Sequence, residues 1–193
     1  IFTGGDAGEG LDLDGVFPYA VNIGGSTTPT IRNANFTLDT APGFTISANI
    51  HVPSHVTPSY AAPTANDTAL VEVMRSLRYN VSPPGVSYNL ANLTIGKHYK
   101  AQLLFHETGS NRGFDVFAEG KLIFDDFGIV ATAGGNTPGT SVVMTFEFVA
   151  TDTTLNLFVT GQGTAGFGDT NPYVNAITIE DLGVAPTGTA TFN

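Results

Sequence analysis

Three groups of side chains in this sequence have types and spacings that could do chemistry. The first is the opening segment IFTGGDAGEGLDLDG, where Asp6, Glu9, Asp12 and Asp14 are interleaved with glycines. A loop this rich in carboxylates suits a hard cation bound through oxygen, so Ca2+ is the ion expected on these four residues. The EF-hand spacing is absent, and the alternative is a solvated acidic turn. The second group is Glu107 and Asp115, which flank one turn as an acid/base pair would in a glycosidase. Arg112 and Lys121 lie close enough in sequence to neutralise them instead. The third is His51 and His55, four apart, a metal-binding spacing on a helix that Pro53 opposes. No GxSxG nucleophile elbow is present, and the Gly-rich stretch Gly161–Asn171 has no Gly-Lys-Ser/Thr to make a phosphate loop. The chain therefore reads as a non-enzyme.

The elements that must position these groups are strands. Tyr99–His106, Phe114–Ala118 and Lys121–Phe127 read as three strands separated by the polar turn Thr108–Gly113 and the tight turn Glu119-Gly120. Val16–Ile23 is a strand interrupted by Pro18, which places it at an edge or a bulge. Thr30–Leu38 and Phe44–Val52 alternate with period two. Asn66–Tyr79 reads as a short helical turn, capped by Asn66 or Thr68, passing into a strand. Val86–Leu93 is a strand, Gly128–Thr140 a loop, and Ser141–Val149 with Thr154–Thr160 a hairpin. Pro172–Leu182 is the last strand of the domain, and residues 183–193 form a strand-like tail or linker. Strands every 8–15 residues with almost no helix predict an all-β fold: an antiparallel β-sandwich or jelly roll with at most one or two short helical turns.

Composition excludes several classes of partner. The net charge is −10, with 17 acidic against 7 basic residues, which argues against nucleic acid and an anionic membrane surface. No apolar run is long enough to insert into a membrane. Without cysteine there are neither disulfides nor thiolate metal sites. Charged residues make up only 12%, so Thr, Ser, Asn and Gly carry the polar surface, as expected of an extracellular or cell-surface protein. The chain opens on Ile1, as a processed or excerpted chain would.

Tyr99-Lys-Ala-Gln-Leu-Leu-Phe-His-Glu107 followed by Arg112-Gly-Phe-Asp-Val116, the Glu119-Gly120 turn and Phe124-Asp-Asp-Phe127 resembles the malectin family of galactose-binding-type jelly rolls. Asn22-Ile-Gly-Gly25 and Asn171-Pro-Tyr-Val-Asn-Ala-Ile-Thr-Ile179 extend the resemblance over residues 16–182, and Gly4-Gly5-Asp6 with its trailing acids looks like exported bacterial relatives. The resemblance implies a lectin-like domain for a glycan or cell-surface polysaccharide, with aromatic residues and an acid on loops at one end. On that logic the candidates are Tyr60, Tyr79, Arg112, Asp169, Asn171 and Tyr173, with Phe167 a further ring and His106 a further polar contact. The chain has no tryptophan, so sugar faces would fall to tyrosine and phenylalanine. An alternative rests on the tail, where Thr187–Phe192 alternates small polar and apolar residues. Adding such a strand to a neighbour's sheet edge would build a homopolymeric extracellular filament.

Overall fold

The computed structural model describes residues 1–61 and 63–184. In chain order the strands are β1 (Tyr19–Asn22), β2 (Thr30–Ile31), β3 (Ala34–Asn35), β4 (Thr37–Leu38), β5 (Phe44–Ile46) and β6 (Ile50–Val52). Helix α1 (Ala65–Met74) precedes β7 (Leu77–Tyr79), β8 (Val86–Leu90), β9 (Lys97–Phe105), β10 (Gly113–Ala118) and β11 (Lys121–Gly128). The short helix α2 (Ile129–Thr132) is followed by β12 (Val142–Val149), β13 (Leu155–Thr160), β14 (Tyr173–Val174) and β15 (Ala176–Val184).

Two five-stranded sheets make the sandwich, with strand orders β12-β9-β15-β1-β4 and β11-β10-β13-β8-β5; β14-β7-β6 forms a small third sheet and β2-β3 a hairpin. Leu103, Phe105, Ile177 and Ile179 from the first sheet meet Phe114, Val116, Tyr88 and Leu157 from the second in the main core. The first sheet is covered on its other face too. Leu104 and Ala176 point away from the main core into a second cluster with Phe2, Leu13, Leu70 and Met74. That double burial explains why β9 reads as a continuous apolar run towards its end rather than a strict alternation.

The all-β expectation stands, with two helices, but several local expectations are corrected. β12 and β13 do not form a hairpin. β12 pairs with β9 over eight residues, from Val142↔Phe105 to Val149↔His98, whereas β13 lies between β10 and β8 in the opposite sheet. The free edge of β9 offers a longer ladder than the six residues of β13 could, so the 150–154 segment crosses between sheets. The Glu107–Arg112 turn crosses in the same way, whereas β10–β11 is a hairpin as expected. Phe44–Val52 splits into β5 and β6, which join different sheets. Thr30–Leu38 breaks at Arg32, whose φ of 51° folds it into β2–β3 ahead of β4. β1 is interior, between antiparallel β15 and parallel β4; Pro18 lies just before it and removes no ladder hydrogen bond.

Helix α1 is capped by Thr64 rather than Asn66 or Thr68. The Thr64 hydroxyl accepts from Asp67 N while the Asp67 carboxylate accepts from Thr64 N, a reciprocal capping box. The final strand is interrupted at Asn175, which is buried. Its Nδ2 donates to the Met74 and Ser76 carbonyls and its Oδ1 accepts from His106 N, tying α1 to the end of β9. β15 continues through Gly183 and Val184, past the expected boundary at 182. The expected strand-like tail beyond that point lies outside the described residues.

Candidate functional site

Arg112 organises the site. It stands at the mouth of β10, where the chain has just crossed from the first sheet, and forms a parallel bridge with Asp169. Its Nε donates to Glu107 Oε2 at 3.0 Å, and its Nη1 to Asp169 Oδ1 at 3.2 Å and to the Asn171 carbonyl at 2.8 Å. Its Nη2 lies 2.7 Å from Asp169 Oδ2, and the guanidinium carbon sits 5.1 Å from the centre of the Tyr173 ring. One cation thus joins the β9–β10 crossing, the Gly-rich loop and β14, in the planar fork geometry that arginine alone provides.

Glu107 is the buried partner, its side chain 1% exposed. It also accepts from Thr108 N at 3.0 Å and lies 3.3 Å from His55 Nε2. Burial pushes its pKa up, but the hydrogen bonds from His55 and Arg112 outweigh that and hold it below the ordinary glutamate value. His55 comes from the proline-rich loop after β6, anchored by its backbone N–H to the Arg75 carbonyl at 2.7 Å, and its ring meets Tyr173 edge-on at 5.9 Å.

These groups line a cleft of about 190 Å3. Tyr79 and Tyr173, paired in register between β7 and β14, line it together with Leu77, Val52, Arg112, Asp169, Asn171 and His55. Five of the six candidate sugar-binding residues therefore converge: Tyr79, Arg112, Asp169, Asn171 and Tyr173. Their surroundings assign them different roles. Tyr173 is fully buried, covered by Arg112, and donates its hydroxyl to the His106 carbonyl at 2.8 Å. Burial, with Glu107 nearby, drives its phenol pKa well up, so it is neutral floor rather than a free stacking face. Tyr79 is only partly buried, the more accessible of the cleft's two tyrosines.

Tyr60 is not in the cleft. It is buried against Phe2, with its hydroxyl 2.8 Å from Ser141 Oγ, because it belongs to the second core cluster. Ser141 Oγ in turn lies 3.0 Å from Nδ1 of the buried His106. Burial depresses the pKa of His106 below its ordinary value. Phe167 also points elsewhere, onto the backbone of Gly113 and Gly128. Sequence reasoning missed His55 and Glu107 as members of one site, having weighed them as a metal ligand and an acid/base. The usable signal was the opposite charges of Glu107 and Arg112 across a turn directly after an apolar strand. His51 is not beside His55: its Nε2 lies 2.6 Å from the Gly24 carbonyl.

The acids expected to hold calcium are regrouped. Asp6 and Glu9 remain together and are joined by Asp67, one carboxylate oxygen of each lying within 4.8 Å of the others. Asp12 instead takes Lys100 Nζ at 2.7 Å, and Asp14 pairs with Arg32, whose Nε lies 2.9 Å away. Asp12 and Asp14 thus tether the N-terminal segment to β9 and the β2–β3 turn.

The sequence profile of the Malectin domain matches residues 17–182, and the chain belongs to that family. Solved structures agree at the level of fold. The receptor-like kinase FER of a plant, in complex with the peptide RALF23 and LLG2, matches with a TM-score of 0.67 and 17% identity, over 86% of this chain and 48% of that one. The ANX2 ectodomain from Arabidopsis thaliana matches with a TM-score of 0.64 and 15% identity, over 86% and 49%. A calcium-binding mutant of Bacteroides uniformis beta-glucuronidase 2 matches with a TM-score of 0.59 and 14% identity, over 88% and 18%. This chain therefore spans less than half the length of these structures. No curated protein shows a significant sequence match.

Proposed function

We propose that this chain is a non-catalytic, lectin-like domain that binds a glycan or cell-surface polysaccharide outside the cell, using the Tyr79–Arg112–Asp169 cleft. The observation that carries this reading is the convergence of Tyr79, Asp169 and Asn171 around a floor made rigid by Arg112 and Tyr173. A saccharide needs a ring for its apolar face and fixed polar groups for its hydroxyls. Tyr79 supplies the ring. Asp169 and the Asn171 amide supply the polar groups, in positions already paid for by Arg112 and by Ser82 N, which donates to Asn171 Oδ1 at 3.1 Å. Malectin-family membership supports the class of ligand.

A role for Glu107 as a general acid is disfavoured by its state. A general acid must carry a proton near the working pH. Glu107 is buried, and His55 and Arg112 keep it ionised.

Isothermal titration against a panel of neutral and acidic oligosaccharides tests the proposal. Saturable binding lost in Tyr79→Ala and Asp169→Ala, with folding intact, is the expected result. Binding that survives both substitutions places the ligand elsewhere; no binding to any saccharide overturns the reading.

A further inference from the structure

The sequence holds four Asn-x-Ser/Thr triplets: Asn35-Phe-Thr37, Asn66-Asp-Thr68, Asn80-Val-Ser82 and Asn92-Leu-Thr94. Such a triplet accepts an N-linked glycan on its amide nitrogen, which must be free to react. The structure separates the four. In the first turn of α1, Asn66 Nδ2 donates to Asp6 Oδ1 at 2.6 Å. Asn80 Nδ2 donates to the Ser47 and Gly85 carbonyls at 3.3 and 2.8 Å, and its Oδ1 accepts from Asn49 N at 2.9 Å. The Asn92 side chain hydrogen-bonds the Tyr19 hydroxyl. Asn35 differs. Its Oδ1 accepts from Thr30 Oγ1 at 2.7 Å, and its exposed Nδ2 has no partner among the described residues.

We propose that Asn35 is the N-glycan acceptor of this domain. Asn35 and Thr37 are exposed, whereas Phe36 between them is 1% exposed and belongs to the second core cluster. Anchoring the middle residue of an extended triplet turns both neighbours outward, so amide and hydroxyl emerge together. Thr37 Oγ1 donates to the Ala20 carbonyl at 3.3 Å, which leaves its own lone pairs open. In the transfer, Asn35 Nδ2 bonds to the anomeric carbon of an oligosaccharide carried on a lipid pyrophosphate. The bond from that carbon to the pyrophosphate oxygen breaks, the pyrophosphate leaves with the electron pair, and the nitrogen gives up one proton. Asn35 Oδ1 stays a carbonyl oxygen, so its hydrogen bond from Thr30 survives. Asn35 lies two residues before β4, the open edge of the first sheet. A hydrophilic glycan there shields an edge otherwise available to strand addition. Asn35 does not line the cleft, so saccharide binding there and glycan attachment here stand or fall separately.

The test is transfer to the folded protein in vitro. The purified chain is incubated with an oligosaccharyltransferase and its lipid-linked oligosaccharide. Peptide N-glycosidase in heavy-oxygen water then marks each occupied asparagine for mass spectrometry. The expected product carries one oligosaccharide, at Asn35, with Asn66, Asn80 and Asn92 unmodified. Asn35→Gln is expected to abolish that product with no new site appearing, and Asn92→Gln to leave it unchanged; circular dichroism checks that both variants fold. Transfer to Asn66 or Asn80 as extensive as to Asn35 would overturn the proposal. So would a product that persists in Asn35→Gln, or no transfer to Asn35 by an enzyme that glycosylates a control acceptor peptide.

Discussion

Phe167 fills the space that a β-carbon on Gly113 would need. Gly113 stands opposite Gly128 in the β10–β11 ladder, and a β-carbon on Gly128 would come within 2.9 Å of the same ring. Two facing glycines thus make a bare shelf on which the ring rests. The ring belongs to the loop that delivers Asp169 and Asn171 to the cleft. That loop is further held by Gly168 N to the Asn111 carbonyl at 3.0 Å and by Gly113 N to the Asp169 carbonyl at 3.1 Å.

Gly113→Ala is therefore expected to destabilise the protein by about 1–3 kcal/mol through overpacking. It is also expected to shift the amide resonances of residues 166–171. Phe167→Ala in the same chain should restore part of the loss, because the two side chains compete for one space. A double-mutant cycle by urea denaturation measures the coupling. Strictly additive effects would show that the shelf does not seat the ring.

Arg112→Met removes the cation that Glu107 and Asp169 share. Glu107 is left as a buried carboxylate with one fewer partner, and breaking a buried pair in this way costs about 3–5 kcal/mol. Adding Glu107→Gln removes the stranded charge and should recover a large part of that cost. Equilibrium unfolding of the two variants and the parent checks the order: Arg112→Met least stable, the double variant between it and the parent. Arg112→Lys should also fall short of the parent, since a single ammonium cannot reach Glu107, Asp169 and the Asn171 carbonyl at once.

Stability should fall in two stages as the pH drops. Burial depresses the pKa of His106 below its ordinary 6.5, so the unfolded chain takes up a proton that the folded chain refuses, and stability declines as the pH falls below about that value. Glu107 is held below its ordinary 4.5 by His55 and Arg112 against the opposing effect of burial. Its contribution is fully present above that value and is lost as the pH falls through the lower folded one. Both groups act in the same direction. Urea midpoints across this range should slope upward with pH. His106→Gln should flatten the upper stage and leave the lower one; an unchanged upper stage would remove His106 from the account.

The strands and the β10–β11 hairpin could be read from the chain because alternation and the Glu119-Gly120 turn are local signals. The crossings could not. β12 and β13 each alternate as a hairpin's strands would, and nothing in residues 150–154 says that Met144 and Leu157 enter one core from opposite sheets. The cleft was legible in five of six residues because ends of strands in a sandwich gather at common poles. Tyr60 looked equivalent, but its neighbours Phe2 and Ser141 are remote in sequence, and they bury it. Asp67 escaped notice among the acids for the same reason: its partner Gly5 is 62 residues away.

Asp67 connects the N-terminal loop to α1 through a single carboxylate. Its Oδ1 accepts from Gly5 N at 2.7 Å and its Oδ2 from Thr64 N at 2.8 Å. Burial pushes its pKa up, but those backbone donors and the Thr64 hydroxyl outweigh it and hold the group below its ordinary value. Asp67→Ala removes both acceptors, breaks the capping box and leaves two backbone N–H groups to find other partners; a loss of about 1–3 kcal/mol is expected. Asp67→Asn keeps one acceptor oxygen and also relieves the repulsion with Asp6 and Glu9, so it should cost less. Thermal melts of the two variants decide between the roles. If Asn proves as damaging as Ala, the charge of Asp67 matters more than its two hydrogen bonds, and the carboxylate is needed there as an anion rather than as a cap.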